Sequence, residues 1–240
     1  MIKEAMEHVQ RLAAPNFKEW EGKLYSDKHL EEVKPEAGPL PKVLVINTLS
    51  GVADYIKNEL DNESGYIVHV LDYNQVAIYG EYDPEFCRRK CYISAKSDLK
   101  RFEYGRFMHT ESFIIGLMSF FQPTESLVNL LAYAGKMTDE TTVNIDDDGI
   151  TQTASVKTGV VAKADKPVPN PVELIPFETF PEIEGVPRKF IFRVTKSRGA
   201  VECALFESGD TKWELDYIQA IKRYFEEQLE GVERQISIIA

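Results

Sequence analysis

Long apolar runs and a secretion signal are absent from this 240-residue chain. Its longest apolar stretch, FIIGLMSFF at residues 113–121, is far shorter than the roughly 20 residues that cross a bilayer. The N-terminal residues 1–15 are charged and amphipathic, and they lack the apolar centre of a signal peptide. We therefore predict a cytoplasmic protein with no membrane segment.

Cysteine and histidine are also scarce. The three cysteines are an odd number, which indicates a reducing compartment rather than a disulfide framework. The four histidines are scattered and form no zinc-binding spacing. Cys87 and Cys91 are four residues apart, and we expect both to be buried as small apolar side chains. The sequence predicts no metal and no cofactor.

Catalytic motifs are missing. The chain has no glycine-rich phosphate loop, no Gly-x-Ser-x-Gly sequence and no His-Glu-x-x-His sequence. Neighbouring carboxylates, as in residues 80–86 and 181–187, are expected by chance in a chain with 39 acidic residues. The sequence favours a non-enzymatic protein, and it predicts no catalytic residue.

One acidic stretch, NIDDDGITQT at residues 144–153, begins like a calcium-binding loop. Asn144, Asp146 and Asp148 fall on its opening positions, but the twelfth position is Ser155 instead of a bidentate Glu. The flanking residues are rich in Thr and Val, which suits strands, and Asp-Gly is a strong hairpin signal. We interpret the stretch as a hairpin turn. A metal-dependent enzyme built on the acidic turns is the weakest functional hypothesis.

Positive charge is scarce overall, because the formal net charge is −11, but it is concentrated in residues 86–107, which carry a local +5. Basic side chains follow phosphates and aromatic faces stack on bases, so this mixture is typical of a surface for single-stranded nucleic acid. The candidate residues are Arg88, Arg89, Lys90, Lys100, Arg101, Phe102, Tyr104 and Arg106. The alternative is that these charges pair with the acidic remainder of the chain or with a neighbour, and the negative net charge favours that alternative.

The apolar periodicity predicts an α+β fold, with antiparallel meanders and hairpins covered by helices on one face. One sheet is expected from residues 66–95, and another from 141–161 together with 190–206. The predicted helices are 3–13, 49–60, 111–121, a helix from Pro123 to Gly135, and 213–230. The polar stretch that follows Pro15 reads as an extended arm or a strand pair around Gly22, and then as a loop at 34–41.

Six prolines between residues 164 and 189 exclude helix and central strand there, and the interleaved apolar residues predict an ordered, extended segment. Residues 1–240 are expected to form a single unit, with two abutting halves, 1–136 and 137–240, as the alternative. The terminal residues SIIA are expected to pair with a sheet edge in the same chain or in a neighbour. A homo-oligomer is predicted.

The stretches LVINTLSGVADYIK, DDDGITQTASVKTGV, VPNPVELIPFETFPEI and ALFESGDTKWELDYIQAIKRYFEEQL carry a resemblance. They resemble the YfdQ-like family of phage and prophage proteins, over about residues 26–240. The resemblance implies a phage or prophage gene product that acts inside an infected bacterium. It implies no activity and no site residue.

Three hypotheses follow. The first is a non-enzymatic phage protein that neutralises a host macromolecule, for example a defence protein, or sequesters a small ligand. The second is a single-stranded DNA-binding accessory of phage recombination or replication that uses residues 86–107. The third is the metal-dependent enzyme.

Overall fold

The computed structural model describes residues 2–28, 32–33, 38–58, 64–138, 143–147, 152–158, 161–162, 166–167, 170–197 and 199–240. The helices are α1 (Ile2–Ala13), α2 (Leu49–Lys57), α3 (Thr110–Phe120), α4 (Glu125–Thr138) and α5 (Lys212–Gln228). The strands are β1 (Phe17–Trp20), β2 (Lys23–Ser26), β3 (Glu32–Val33), β4 (Leu44–Ile46), β5 (Gly65–Asp72), β6 (Gln75–Asp83), β7 (Arg88–Lys96), β8 (Met108–His109), β9 (Val143–Asp147), β10 (Gln152–Thr158), β11 (Val161–Ala162), β12 (Lys166–Pro167), β13 (Val172–Leu174), β14 (Arg188–Ser197), β15 (Ala200–Ser208) and β16 (Gln235–Ile239). The fold is α+β, as predicted.

The chain forms two compact units, Met1–Leu40 and Pro41–Ala240. The first unit contains α1 and a small sheet in the order β1-β2-β3. Glu21 and Gly22 connect β1 to β2 with φ angles of 51° and 75°, the left-handed conformation that a two-residue hairpin turn requires. The structure confirms the predicted short helix and the strand pair around Gly22.

The second unit contains a five-stranded sheet in the order β16-β5-β6-β7-β4. Its centre, β5 to β7, is the predicted antiparallel meander. Apolar side chains alternate along these strands and pack against α2 and α5 on one face. This first core contains, among others, Leu49, Val52, Ile56, Tyr66, Val68, Ile78, Ile93, Ile221 and Phe225.

The outer strands of this sheet correct the prediction of purely antiparallel pairing. β16 lies parallel to β5, and β4 lies parallel to β7. A parallel neighbour needs a long crossover connection, usually through a helix, and here α2 follows β4 and α5 precedes β16. The terminal residues were expected to pair with a sheet edge in the same chain or in a neighbour. In the structure, Ser237–Ile239 pair with β5 of their own chain.

A second sheet has the order β13-β14-β15-β8 and is antiparallel throughout. α3 and α4 pack on it, and the side chains between them form a second core. That core contains, among others, Phe102, Phe113, Leu117, Phe121, Leu130, Phe190, Phe192, Cys203 and Leu205.

The predicted pairing of residues 141–161 with 190–206 is wrong. β9 to β12 form a separate sheet, in which β10 lies between β11 and β12 and also pairs with β9. The hairpin of β14 and β15 is instead flanked by β13 and β8, which are only three and two residues long. Such short partners carry little periodic signal, so pattern alone could not identify them.

The proline-rich segment contains no helix over residues 170–187, as predicted; it includes the short strand β13 and a turn in which Ile183 N donates to Phe180 O over 3.1 Å. It begins in the second core with Val172 and Leu174, and Phe180 lies in the first core. Backbone hydrogen bonds tie it to the end of α3, where Phe177 N donates to Phe120 O over 2.8 Å. Both cores therefore receive side chains from one extended segment.

The alternative boundary near residues 136–140 separates neither core. Each core combines residues from before residue 136 and after residue 140, because α5 and β16 return to the first sheet. The chain instead divides after Leu40. Among the described helices, none is both long and apolar enough to cross a membrane.

Candidate functional site

The structure splits the predicted nucleic-acid-binding stretch into two groups. Arg88, Arg89 and Lys90 begin β7, whereas Lys100 and Arg101 follow its other end. A strand of nine residues is about 30 Å long at roughly 3.3 Å per residue. The two groups therefore lie at opposite ends of one strand instead of forming one continuous basic surface.

Each arginine of the stretch contacts a group of its own chain. The Arg88 guanidinium lies 5.1 Å from the centre of the Phe86 ring, and that of Arg89 lies 5.4 Å from the Tyr82 ring. Arg101 lies 4.9 Å from the Tyr73 ring. Arg106 forms an exposed ion pair with Glu103. The partner of Arg106 is a carboxylate of the same stretch, so the pairing of these charges with the acidic remainder of the chain stays a prediction.

Of the two aromatic candidates, Phe102 lies in the second core and Tyr104 packs against that core, partly buried. Phe102 is 5% exposed and packs among Phe113 and Phe121. The Tyr104 ring stacks on Phe190 at 5.3 Å, and its hydroxyl donates to Glu178 Oε1 at 3.0 Å. Phe102 is therefore covered by its own chain, and one face and the hydroxyl of Tyr104 are engaged within the protein.

The strands around the acidic turn are present, since β9 and β10 pair antiparallel with Asp147 opposite Gln152. The turn itself, including Asp148 and Gly149, lies outside the described residues.

The expectation that Cys87 and Cys91 are both buried is wrong for Cys87. Cys87 is exposed in the turn before β7, while Cys91 is half-buried. Within the described part of the chain, no three His, Cys, Asp or Glu side chains are grouped to hold a metal ion.

The most distinctive polar cluster surrounds Arg188, which the sequence did not single out. This side chain is only 7% exposed, and its guanidinium lies 3.8 Å from the centre of the Trp213 ring. One terminal nitrogen donates to Glu178 Oε2, and the other donates to Glu207 Oε1 at 2.5 Å. Glu178 is buried, whereas the Glu207 side chain is 53% exposed and reaches solvent.

Four chain segments bring these groups together. Arg188 begins β14 and faces the same side as Phe190 and Phe192, because side chains alternate along a strand. Glu207 stands near the end of β15, opposite Phe190. Glu178 comes from the proline-rich segment and Trp213 from the first turn of α5. The cluster thus depends on contacts between segments that are distant in sequence.

The ionisation of the cluster follows from burial and neighbouring charge. Burial acts to lower the pKa of Arg188, but the charge of Glu178 and the hydrogen bonds to Glu207 and Glu178 raise it above the usual arginine value. Burial, followed by the charge of Glu178, raises the pKa of Tyr104. Burial also raises the pKa of Tyr217, whose hydroxyl accepts a hydrogen bond from Val186 N at 2.9 Å. Arg188 is therefore charged, and both tyrosines are neutral, at physiological pH.

An open cleft of about 350 Å³ lies against this cluster. It lies at the start of α5, where Asp210 Oδ1 accepts a hydrogen bond from Lys212 N at 3.1 Å. Five carboxylate residues line it, namely Glu173, Glu207, Asp210, Glu214 and Asp216. The cationic lining residues are Arg188, Lys189 and Lys212. Glu178 behind the wall already balances Arg188, so negative charge predominates around the cleft.

The cleft is lined mainly by charged side chains. Its described lining contains neither histidine nor cysteine, and Ser208 and Thr211 are its hydroxyl residues. Nucleophilic catalysis needs a hydroxyl or thiol within hydrogen-bond reach of a base, and the described lining shows no such hydrogen bond.

Sequence reasoning could have suggested Arg188, because the alternation of Phe190, Phe192 and Val194 places position 188 on the inward face. A charge at an inward position requires a buried partner.

Comparisons of the chain with protein-family models, with curated proteins and with solved structures give no match.

Proposed function

We propose that the protein is a non-enzymatic binding protein that captures a positively charged group of a host macromolecule or a small ligand in the cleft beside Arg188. The observation that carries the proposal is the excess of carboxylates around a cleft whose own buried arginine is already paired. A concave surface lined mainly by one sign of charge concentrates ligands of the opposite sign.

The positions that would attract an anion are already taken by carboxylates of the same chain. Glu207 accepts a hydrogen bond from Arg188, and Asp210 accepts one from Lys212 N at the start of α5. Glu173, Glu214 and Asp216 also line the cleft, together with Lys189 and Lys212, and none of these three carboxylates belongs to an ion pair among the described residues. An ammonium or guanidinium group therefore gains more from this cleft than a phosphate or carboxylate does.

The size of the cleft limits what it can hold. A volume of about 350 Å³ lies at the lower end of the roughly 300–1,000 Å³ range of ligand sites. It suits one long basic side chain or a small amine. The negative net charge of the whole protein adds a long-range attraction for basic partners.

The biological setting rests on the resemblance to YfdQ-like proteins. A phage or prophage product that captures a basic group of a host protein would neutralise that protein without any catalytic step. The phage origin and the cytoplasmic location stay predictions.

Fluorescence of Trp213 tests the proposal directly. The chain has two tryptophans, so Trp20→Phe leaves Trp213 as the single reporter at the wall of the cleft. Titration with a tri-arginine peptide is expected to change its emission at low salt and less at high salt, whereas tri-glutamate is expected to have no effect.

Matched variants locate the binding. Glu173→Gln combined with Asp216→Asn removes two charges from the cleft and is expected to weaken tri-arginine binding several-fold. Glu226→Gln combined with Glu227→Gln removes two exposed charges from the far end of α5 and is the control. Equal binding by the two double variants, or no emission change at low salt, would contradict the proposal.

A further inference from the structure

A second opening adjoins the cleft beside Arg188. It has a volume of about 420 Å³, and it shares Val186, Pro187 and Asp216 with that cleft. Both openings are built entirely from residues of the second unit. Together they form one groove between residues 184–189 and one face of the helix α5, and we call it the α5 groove.

The helical wall of the α5 groove is a single stripe. Five of its lining residues recur at helical spacing and therefore share one face of α5, namely Lys212, Asp216, Gln219, Ala220 and Arg223. From Lys212 to Arg223 this stripe is about 16 Å long, at roughly 1.5 Å per residue. An extended peptide rises roughly 3.3 Å per residue, so the groove has room for about five residues.

The opposite wall is chain without helix that is tied to α5. Pro187 favours an extended conformation at Val186, the residue before it. The Val186 N–H donates to the Tyr217 hydroxyl over 2.9 Å, and Tyr217 is a buried residue of α5. The two walls of the groove are therefore linked to each other by a hydrogen bond.

Negative charge predominates at both openings. The cleft beside Arg188 has the excess of carboxylates described above. In the second opening, Glu184 and Asp216 outnumber Arg223, the one cation among its described lining residues. Glu184 is exposed and belongs to no ion pair among the described residues. Two separate positions along the groove are thus suited to positive groups.

This distribution of charge favours a polypeptide over a small amine. A single amine in the cleft leaves Glu184 without a partner. Glu184 precedes Arg188 by four residues, which corresponds to at most about 13 Å at roughly 3.3 Å per residue. In an extended peptide, side chains four residues apart point to the same side and are separated by about the same distance.

We infer that the α5 groove binds an extended segment of a basic polypeptide, with one basic side chain in the cleft beside Arg188 and a second, four residues away, between Glu184 and Asp216. The first side chain is the positive group of the proposed function, so the assignment rests on that function. The second side chain identifies the partner as a polypeptide.

Two peptides of equal charge and composition provide the test. Arg-Gly-Gly-Gly-Arg carries a spaced pair, whereas Arg-Arg-Gly-Gly-Gly carries an adjacent pair, and both are used with blocked ends. Calorimetric titration at low salt is expected to show several-fold tighter binding of the spaced pair. Equal affinities of the two peptides would overturn the inference. Equal affinity of argininamide and the spaced pair would overturn it as well, because a small amine would then suffice.

Substitutions in the second opening locate the second side chain. Glu184→Gln is expected to abolish the preference for the spaced pair and to leave binding of the adjacent pair unchanged. Arg223→Gln removes a repelling cation and is expected to strengthen binding of the spaced pair several-fold, a gain that misfolding cannot produce. Glu111→Gln and Lys196→Gln, at exposed positions outside the groove, are the matched controls. A preference that survives Glu184→Gln would refute the assignment.

The tri-arginine titration separates failure of the α5 groove from failure of the cleft. If tri-arginine binds and the two isomeric peptides have equal affinities, the extended site is refuted and the proposed function stands. If neither tri-arginine nor either isomer binds at low salt, both proposals are refuted.

Discussion

Arg101 and Arg188 both lie over aromatic rings, and they differ in almost everything else. Arg101 lies over Tyr73 at an exposed position within the basic stretch, with the guanidinium 4.9 Å from the ring centre. Arg188 lies over Trp213 in a buried setting between two carboxylates, at 3.8 Å. The first belongs to the most conspicuous charge pattern of the sequence, and the second belongs to none.

The comparison shows that a cluster of charges along the sequence does not indicate how much each charge contributes to the stability of the fold. An exposed guanidinium is solvated whether or not its ring contact forms, so that contact adds little. A buried guanidinium has lost its water, and its partners must replace that solvation. The following predictions test the contrast, from the largest expected effect to the smallest.

Arg188→Met is expected to lower the free energy of unfolding by about 3–5 kcal/mol, because it leaves the buried Glu178 carboxylate without its cation. Arg101→Met is the matched control and is expected to cost about 1 kcal/mol or less. Urea unfolding followed by circular dichroism measures both. Equal effects of the two substitutions would remove the basis of the comparison.

Alkaline pH is expected to destabilise the protein. Burial raises the pKa of Tyr104 and Tyr217, and it raises that of Tyr133 to about 12. The folded state therefore holds these protons more tightly than the unfolded chain, whose tyrosines titrate near pH 10. Their contribution is complete below about pH 10 and is lost as pH rises through the folded pKa values, at up to about 1.4 kcal/mol per pH unit for each tyrosine.

Unfolding in urea at successive pH values measures this slope. Tyr133→Phe is expected to flatten the slope between about pH 10 and 12, because one titrating group is gone. An unchanged slope in that variant would show that Tyr133 titrates alike in both states.

The two partly buried tyrosines Tyr104 and Tyr133 form a second matched pair at neutral pH. Tyr104→Phe removes the hydrogen bond to Glu178 and is expected to cost about 1–2 kcal/mol. The Tyr133 hydroxyl is buried without a hydrogen-bond partner in the described structure, so Tyr133→Phe is expected to be neutral or stabilising by up to about 1 kcal/mol. Thermal melting of both variants decides the sign, and a destabilised Tyr133→Phe would contradict it.

Substitutions at the start of β7 are expected to have the smallest effect. Arg88→Gln, Arg89→Gln and Lys90→Gln should each change stability by about 0.5 kcal/mol or less, as usual for surface positions. Single-stranded DNA is expected not to bind, even at low salt, because Phe102 lies in the core and Tyr104 packs against it. Salt-sensitive DNA binding that the triple variant loses would instead establish the nucleic-acid hypothesis.

Local patterns predicted the elements of the fold well. The meander of β5 to β7, the hairpin of β14 and β15 and the helix α5 all follow from apolar periodicity within single stretches. Turn chemistry at Gly22 and capping at Thr48, whose hydroxyl accepts from Gly51 N at 3.3 Å, are equally local. These features depend on neighbours within a few residues, which a sequence displays directly.

The pairing of distant segments could not be predicted in the same way. The parallel position of β16 beside β5 and the short strands β8 and β13 depend on where helices carry the chain. Phe102 and Tyr104 read as part of a basic surface because their neighbours in sequence are charged. In the structure Phe102 is buried and Tyr104 is partly buried, because α3 and β14 pack against them.

The sequence by itself determined the α+β class, the positions of most helices and strands, and the extended proline-rich segment. These depend on the intrinsic geometry of helices and strands and on the restrictions that proline imposes. Only the tertiary structure decided that Arg188, Glu178, Glu207 and Trp213 meet. Burial and charge pairing arise between residues that are distant along the chain, and no local pattern encodes that proximity.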